Sequence, residues 1–344
     1  MEHLKFKFSV LLALFGFGVL LFSQCTPGRG GGIYMQQSGG KINEIILVVN
    51  TSVSPNVVAD TVKTFFTQSD VRLPQAEALY DVLTIPQRDL NTQAAIMRHH
   101  NIVVVNINDT IKKEGVSIRK DVWAAPQLVV HFEAKSDTAF YRIFNAYKKA
   151  ILEKLDQNEL LRARFLTDLG KNVGLSNDIL EQFDLKMSIP AGFYIAKKTD
   201  DFMWFYQRSH QKHKEMTASV MIWKRPYTAE LQFSTDSLIR ERNRVGRLYI
   251  PGPTQGSFMR TATSYIYPHT EIVSDYATKF AVEMRGLWEL EGDFMGGPFI
   301  SYTFAHPKTN QLITIDAFLY HPNHDKRPLL RQLQAVITNV TIPE

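Results

Sequence analysis

Three segments near the C-terminal end decide the fold: Lys279-Phe-Ala-Val-Glu-Met-Arg-Gly-Leu-Trp-Glu-Leu290, Phe299-Ile-Ser-Tyr-Thr-Phe-Ala-His306 and Gln311-Leu-Ile-Thr-Ile-Asp-Ala-Phe-Leu-Tyr320. Each is dense in β-branched and aromatic residues, which pack well on a pleated surface. The last two are parted only by Pro307-Lys-Thr-Asn310, a turn-length connection that makes neighbouring strands antiparallel. Upstream, Phe193–Lys197, Phe202–Arg208 and Ser219–Lys224 repeat the pattern, with turn material such as Thr199-Asp200-Asp201 between them. Helical periodicity interrupts the strands over Asp236 to about Arg247 and over Pro328–Ile337. Residues 174–344 are therefore predicted to form a mainly antiparallel sheet with helices packed on it.

The grammar before Gly170-Lys-Asn-Val-Gly174 differs. Ile45–Val49, Ile102–Val105 and Leu128–His131 are short apolar runs of buried-strand type, and Pro55 opens a helical stretch through Phe66. Ser136 and Asp137 form an N-cap for a long helix whose apolar stripe runs Phe140, Phe144, Tyr147, Ile151 and Leu155. Residues 45–173 thus read as a mixed α/β layer, and the whole as an α+β protein in two subdomains. Residues 25–44 are dominated by glycine and small polar residues. Between Cys25 and the first strand they read as a flexible tether with a reach of about 20 Å.

The first 24 residues are predicted to be a signal peptide. Lys5 and Lys7 precede an apolar run from Phe8 to Phe22, which stops at Ser23-Gln24-Cys25. That run is shorter than the roughly 20 residues a membrane span needs. It resembles a bacterial lipoprotein signal, which implies that the Cys25 thiol carries lipid and that the membrane is a partner through this anchor. Thr26 stands where an inner-membrane retention signal would have Asp, and no acidic run follows, so the resemblance implies the periplasmic face of the outer membrane.

Losing the signal takes the formal charge from +5 to +4. That is far from the clustered basic footprint of a nucleic-acid binder. Cys25 is the only cysteine, so lipidation leaves the folded part without disulfides or thiolate metal sites. The chain has no Gly-x-Ser-x-Gly, His-Glu-x-x-His or Walker loop, and no cofactor is predicted. His210/His213 and His321/His324 have two-ligand spacing but lie among Lys212, Lys214, Lys326 and Arg327, so they read as solvated turn residues and no metal site is predicted. His99-His100 reads as a helix C-terminal cap. Asn106-Ile-Asn108-Asp109 lacks the period of a calcium loop and reads as a turn. Arg240, Arg242, Arg244 and Arg247 share one short helix and read as a solvated face paired with Glu241.

Two readings of function arise from the second half. Glu289, Glu291 and Asp293 alternate with Trp288, Leu290 and Gly292, so on a strand the carboxylates share a side at steps of about 6.5–7 Å, within reach of the spacing used by inverting glycosidases. That gives a carbohydrate hydrolase as the alternative. The favoured reading is a binding or assembly module whose cleft lies between the Tyr249–Met259 loop and Asp293–Phe299. Its candidates are Tyr249, Pro251, Gly252, Pro253 and Met259 on one side, and Trp288, Met295, Gly296, Gly297, Pro298 and Phe299 on the other. Proline fixes one bend and glycine frees the other, chemistry typical of contact loops held on a rigid sheet.

Ile189-Pro190-Ala-Gly-Phe193, Tyr249-Ile-Pro-Gly-Pro253 with Ser257-Phe258-Met259, Arg285-Gly-Leu-Trp288 and Asp293-Phe-Met-Gly-Gly-Pro-Phe299 resemble a family of Bacteroidetes envelope lipoproteins known as a domain of unknown function. The resemblance implies an envelope location and no catalytic residues, and the binding-module reading makes an envelope protein the expected partner. The second half also resembles the photosystem-P and Mog1-like sandwich, where an antiparallel sheet ends in a helix and a last strand. Asp60-Thr-Val62 and Asp109-Thr-Ile111 resemble the O-glycosylation signal of exported Bacteroidetes proteins, making Thr61 and Thr110 candidate acceptors.

Two acyl chains anchor a protein where one binds only marginally. Cys25→Ala is expected to release the protein into the soluble fraction after a high-salt wash of membranes; continued sedimentation with them would refute the anchor.

Overall fold

The computed structural model describes residues 35–51, 54–70, 73–211, 214–264 and 266–344. The signal peptide and Cys25 lie outside them. The apolar runs of the first half become β1 (Glu44–Asn50), followed by α1 (Pro55–Phe66), β2 (Asp81–Ile85), the short helices α2 (Gln87–Leu90) and α3 (Ala94–Met97), β3 (Asn101–Ile107), β4 (Gly115–Lys120) and β5 (Leu128–Ala134). The sheet order is β2-β1-β3-β5-β4, parallel except for the edge strand β4. Its central strands are apolar throughout because both faces are covered: α1 and the long helix α4 (Asp137–Leu169) lie on one side, and the α2–α3 segment on the other. Ser136 accepts a hydrogen bond from the Ala139 amide and caps α4 as its sequence predicts. The α4 stripe buries Phe140, Phe144, Ile151 and Leu155, whereas Tyr147 is 48% exposed, a position its amphipathic side chain tolerates.

The second half runs α5 (Val173–Phe183), β6 (Lys186–Met187), β7 (Tyr194–Lys198), β8 (Phe202–Gln211), β9 (Lys214–Pro226), α6 (Thr235–Tyr249), β10 (Phe258–Ala262), β11 (His269–Val273), β12 (Ala281–Glu291), β13 (Gly296–His306), β14 (Gln311–Tyr320), α7 (Arg327–Thr338) and β15 (Val340–Thr341). Eight of these strands form one antiparallel sheet in the order β10-β12-β13-β14-β9-β8-β7, with β11 added on β12. The protein is α+β. Alternation sorts the side chains: Met203, Phe205, Ile300, Tyr302, Ile313 and Ile315 meet α5 and α7, while Phe202, Met221, Trp223, Phe299 and Phe318 face α6.

The halves share a hydrogen-bonded seam. At 33 residues α4 is about 50 Å long. It outruns the first sheet, and its second half meets α7: Arg331 pairs with Asp156 at 2.6 Å, and Arg164 Nε donates to Thr338 Oγ1 at 3.2 Å. Buried Glu77 accepts the backbone N–H groups of Lys326 and Arg327, each at 2.8 Å, at the positive end of α7. The expected division at 173/174 falls where α4 gives way to α5.

His99 and His100 are not a helix cap. Both are buried at the start of β3, with rings stacked 4.5 Å apart. His99 bonds Glu44 at 3.0 Å, and His100 bonds Glu159 of α4 at 2.6 Å. Burial, and then His100, depress the His99 pKa against the pull of Glu44. This knot also corrects the tether over 25–44. Gly39 O accepts from the His100 ring and backbone, Ser38 is buried, and Arg162 donates to Gly40 O at 3.0 Å, so residues 36–44 belong to the folded body.

The arginine helix differs most from its sequence reading. Glu241 and Arg244 pair at 2.7 Å as predicted. Arg242, however, lies on the stripe of Leu238, Ile239 and Val245 and is 1% exposed. Its guanidinium bonds Asp316 through Nε at 2.8 Å and Nη2 at 3.4 Å, and it rests 3.8 Å from the centroid of the Phe299 ring. Burial pushes the Asp316 carboxyl above its usual range, with Arg242 pulling against that. Desolvation therefore outweighs pairing. Asp316→Ala, which strands a buried cation, is expected to cost about 3–5 kcal/mol in denaturant unfolding, whereas Arg242→Met with Asp316→Leu is expected to be near neutral or stabilising. An exposed, dispensable pair would lose less than about 1 kcal/mol from Asp316→Ala.

Candidate functional site

The α6 face of the large sheet is longer than α6 and the segment after it can cover. Beyond that cover lies a cleft of about 350 Å³, within the size range of small-ligand and peptide-side-chain sites. Its floor is aromatic: Trp204 of β8, Trp288 of β12, and Phe318 and Tyr320 of β14. Trp288 meets Phe318 edge-on at 5.4 Å, and Trp204 lies 6.5 Å from Phe318. Arg208 of β8 and Glu215 of β9 bring opposite charges to one end. The Trp288 indole donates to Leu319 O at 3.2 Å. By contrast the Trp204 indole N–H, though buried, meets no acceptor among the described residues. Burial, then the charges of Glu215 and Asp293, raise the Tyr320 phenol above its usual pKa.

The wall over this floor is the loop Ile250-Pro-Gly-Pro253, and it is already closed on itself. Gly252 N donates to Ser257 O at 3.0 Å and Met259 N to Ile250 O at 3.0 Å. Thr254 Oγ1 donates to Asp293 Oδ2 at 2.6 Å, tying the loop to the β12–β13 turn. At the tip of that turn Phe294 is fully exposed.

Of the cleft candidates, Pro251, Gly252, Pro253, Trp288 and Met295 line the cavity together. Tyr249 instead stacks on Phe202 at 4.2 Å. Met259 and Phe299 are buried under α6. Gly296, Gly297 and Pro298 lie in the β13 ladder opposite Glu289, Trp288 and Leu287. Neither glycine has a positive φ, so the backbone freedom expected of them is not used. A Cβ on Gly297 would stand 2.0 Å from Leu319 O, so close packing, not backbone freedom, demands glycine there. Trp204, Arg208, Glu215, Phe318 and Tyr320 were missed. Period-two alternation within β8 and β14 places Trp204 with Arg208 and Phe318 with Tyr320 on the α6 face, a signal the sequence holds.

The three carboxylates do not enter the cleft. Glu289 and Glu291 alternate away from Trp288 and Leu290, and Arg260 bridges them at 2.9 and 2.6 Å. Asp293 accepts from Thr254 and from the Phe294 amide, which hold its pKa below the usual range, the wrong direction for a general acid. Thr110 is exposed, its hydroxyl donating to Asn108 Oδ1 at 2.9 Å. Thr61 is half-buried on α1, bonded to Val57 O at 2.9 Å. His321 is not solvated as read: both ring nitrogens are buried without a hydrogen-bond partner among the described residues. His213 lies outside the described residues. Among those described, no group of three or more His, Cys, Asp or Glu could hold a metal ion.

Both halves match known sequence families. Residues 172–339 match a domain of unknown function, DUF4837, and residues 38–165 match another, DUF8532. No curated protein matches the chain. Among solved structures, Mog1p, a Ran-binding protein of Saccharomyces cerevisiae, aligns with 46% of this chain and 90% of its own at 8% identity and a TM-score of 0.30. LpqN of Mycobacterium tuberculosis, described as involved in cell envelope biogenesis, aligns with 46% of this chain and 83% of its own at 10% identity and a TM-score of 0.27. Likenesses this distant carry neither function nor mechanism to this chain.

Proposed function

We propose that this protein is a lipid-anchored envelope lipoprotein of Bacteroidetes type. In this reading it is held through Cys25 on the periplasmic face of the outer membrane, and it binds an extended segment of a partner protein in the cleft beneath Pro251-Gly-Pro253. The anchor rests on the basic start, apolar run and cysteine of the N-terminus, and on the resemblance of the second half to that lipoprotein family. Among the described residues no helix is long and apolar enough to cross a membrane.

The observation that carries the binding role is the aromatic Trp204–Trp288–Phe318–Tyr320 floor lying open beneath a preformed loop. Aromatic grooves take extended, proline-containing segments because the rings cover apolar side chains while an indole N–H answers a peptide carbonyl. The loop needs no rearrangement to form its wall, which limits the ordering cost of binding. Fully exposed Phe294 extends the apolar surface past the rim. The hydrolase alternative lacks this support, since its carboxylates are bridged by Arg260 or held by Thr254 on surfaces other than the cleft.

Alanine at an aromatic anchor of an interface commonly costs 2 kcal/mol or more. Trp204→Ala is expected to lower recovery of a cross-linked envelope partner by about tenfold or more while leaving the thermal unfolding midpoint within a few degrees. Lys198→Ala on exposed β7 is expected to change neither. Undiminished recovery with Trp204→Ala would refute the assignment.

A further inference from the structure

A second cavity, of about 250 Å³, lies on the opposite face of the large sheet, where α4 and α7 cross it. Its walls are mostly apolar: Ala163 and Leu166 of α4, Leu333 and Val336 of α7, and Phe193 before β7. One cation stands among them. Arg162 of α4 is 8% exposed, and its Nε–H is buried with no acceptor among the described residues.

The carboxylate nearest in sequence does not neutralise it. Glu159, which also lines the cavity, accepts at Oε1 from His100 at 2.6 Å and from Asn101 at 2.7 Å, and among the described residues no carboxylate lies within ion-pair distance of Arg162. Among the described residues the guanidinium makes one hydrogen bond, from Nη2 to Gly40 O at 3.0 Å. Burial pulls the Arg162 pKa below its usual value, with Glu159 opposing. A buried guanidinium with an idle N–H edge beside an apolar cavity is a half-made site, because such a fork is complemented by a carboxylate.

We infer that this cavity binds a single-chain amphiphile with a carboxylate head, a medium-chain fatty acid, whose head meets Arg162 and whose tail lies between Leu166, Leu333 and Val336. The volume sets the length. At roughly 30 Å³ per water-sized group, 250 Å³ holds about eight such groups, hence an acid of about eight carbons counted with its head and not a two-chain phospholipid. Gln207 and Gln332 also line the cavity and supply neutral donors beside the head.

The test is calorimetric titration of octanoate into the full acylated chain in lipid nanodiscs, with empty nanodiscs subtracted and octanol run in parallel. One saturable site is expected, with octanol binding at least tenfold more weakly. Arg162→Gln should weaken octanoate by about tenfold or more and leave octanol unchanged. Absence of a saturable site, equal affinity for acid and alcohol, or octanoate binding unchanged in Arg162→Gln would each overturn the inference. Should Arg162→Gln lose its cooperative thermal transition, Ala163→Leu decides instead. That variant fills the tail space, so retained octanoate binding in it would equally refute the site.

Discussion

Arg242 and Asp316 meet in the dry middle of the molecule, and the arrangement of the α6 face depends on them. Neither charge has access to water, so each constrains the other to a position that only one docking of α6 provides. Helix and strand are further held close by Gly246, where a Cβ would stand 2.2 Å from Met259 O. Once α6 is fixed, the chain that leaves it at Tyr249 must turn at Pro251-Gly-Pro253 and return as β10. The cleft wall is thus a consequence of where α6 sits, and its floor is whatever length of sheet α6 leaves uncovered. A buried ion pair is weak evidence for stability but a good device for choosing one arrangement among similar ones.

The same logic runs through the seam between the sheets. The first sheet has its own apolar core, and so does the second. What joins them is directional: Glu77 at the N-terminus of α7, Arg331 with Asp156, and the His99–His100 knot reaching from the N-terminal segment to α4. Apolar contact alone would let two such layers slide. Hydrogen bonds with donors and acceptors in fixed places do not, because each buried group left unpaired costs free energy.

How much of this was legible in the sequence follows from which interactions are periodic. The strands around Lys279–Tyr320 and the runs at Ile45, Ile102 and Leu128 announce themselves because burial imposes a period on local residues. The edge strand β4 and the strand β11 do not, since exposed or half-exposed strands carry weaker patterns, and β10, though largely buried, is only five residues long. Charged residues are read as solvated by default, and that default fails for Arg242, which helix geometry places between Leu238 and Val245. His99 and His100 were misread for a different reason: their partners, Glu44 and Glu159, lie 55 and 59 residues away, where no local pattern reaches. The cleft was half legible. Proline and glycine mark its wall, but its floor assembles Trp204, Trp288 and Phe318 from three strands whose pairing is a tertiary fact.

In the proposed function the aromatic cleft is the surface that meets a partner in the envelope. The most direct measurement is photo-crosslinking in living cells, with a photoreactive phenylalanine analogue placed at Tyr320 on the cleft floor or at Leu83, which is exposed on the other sheet. The account predicts a discrete adduct from position 320, lost when Trp204 is changed to alanine, and none from position 83. No adduct from position 320, or the same adduct from both positions, would contradict it.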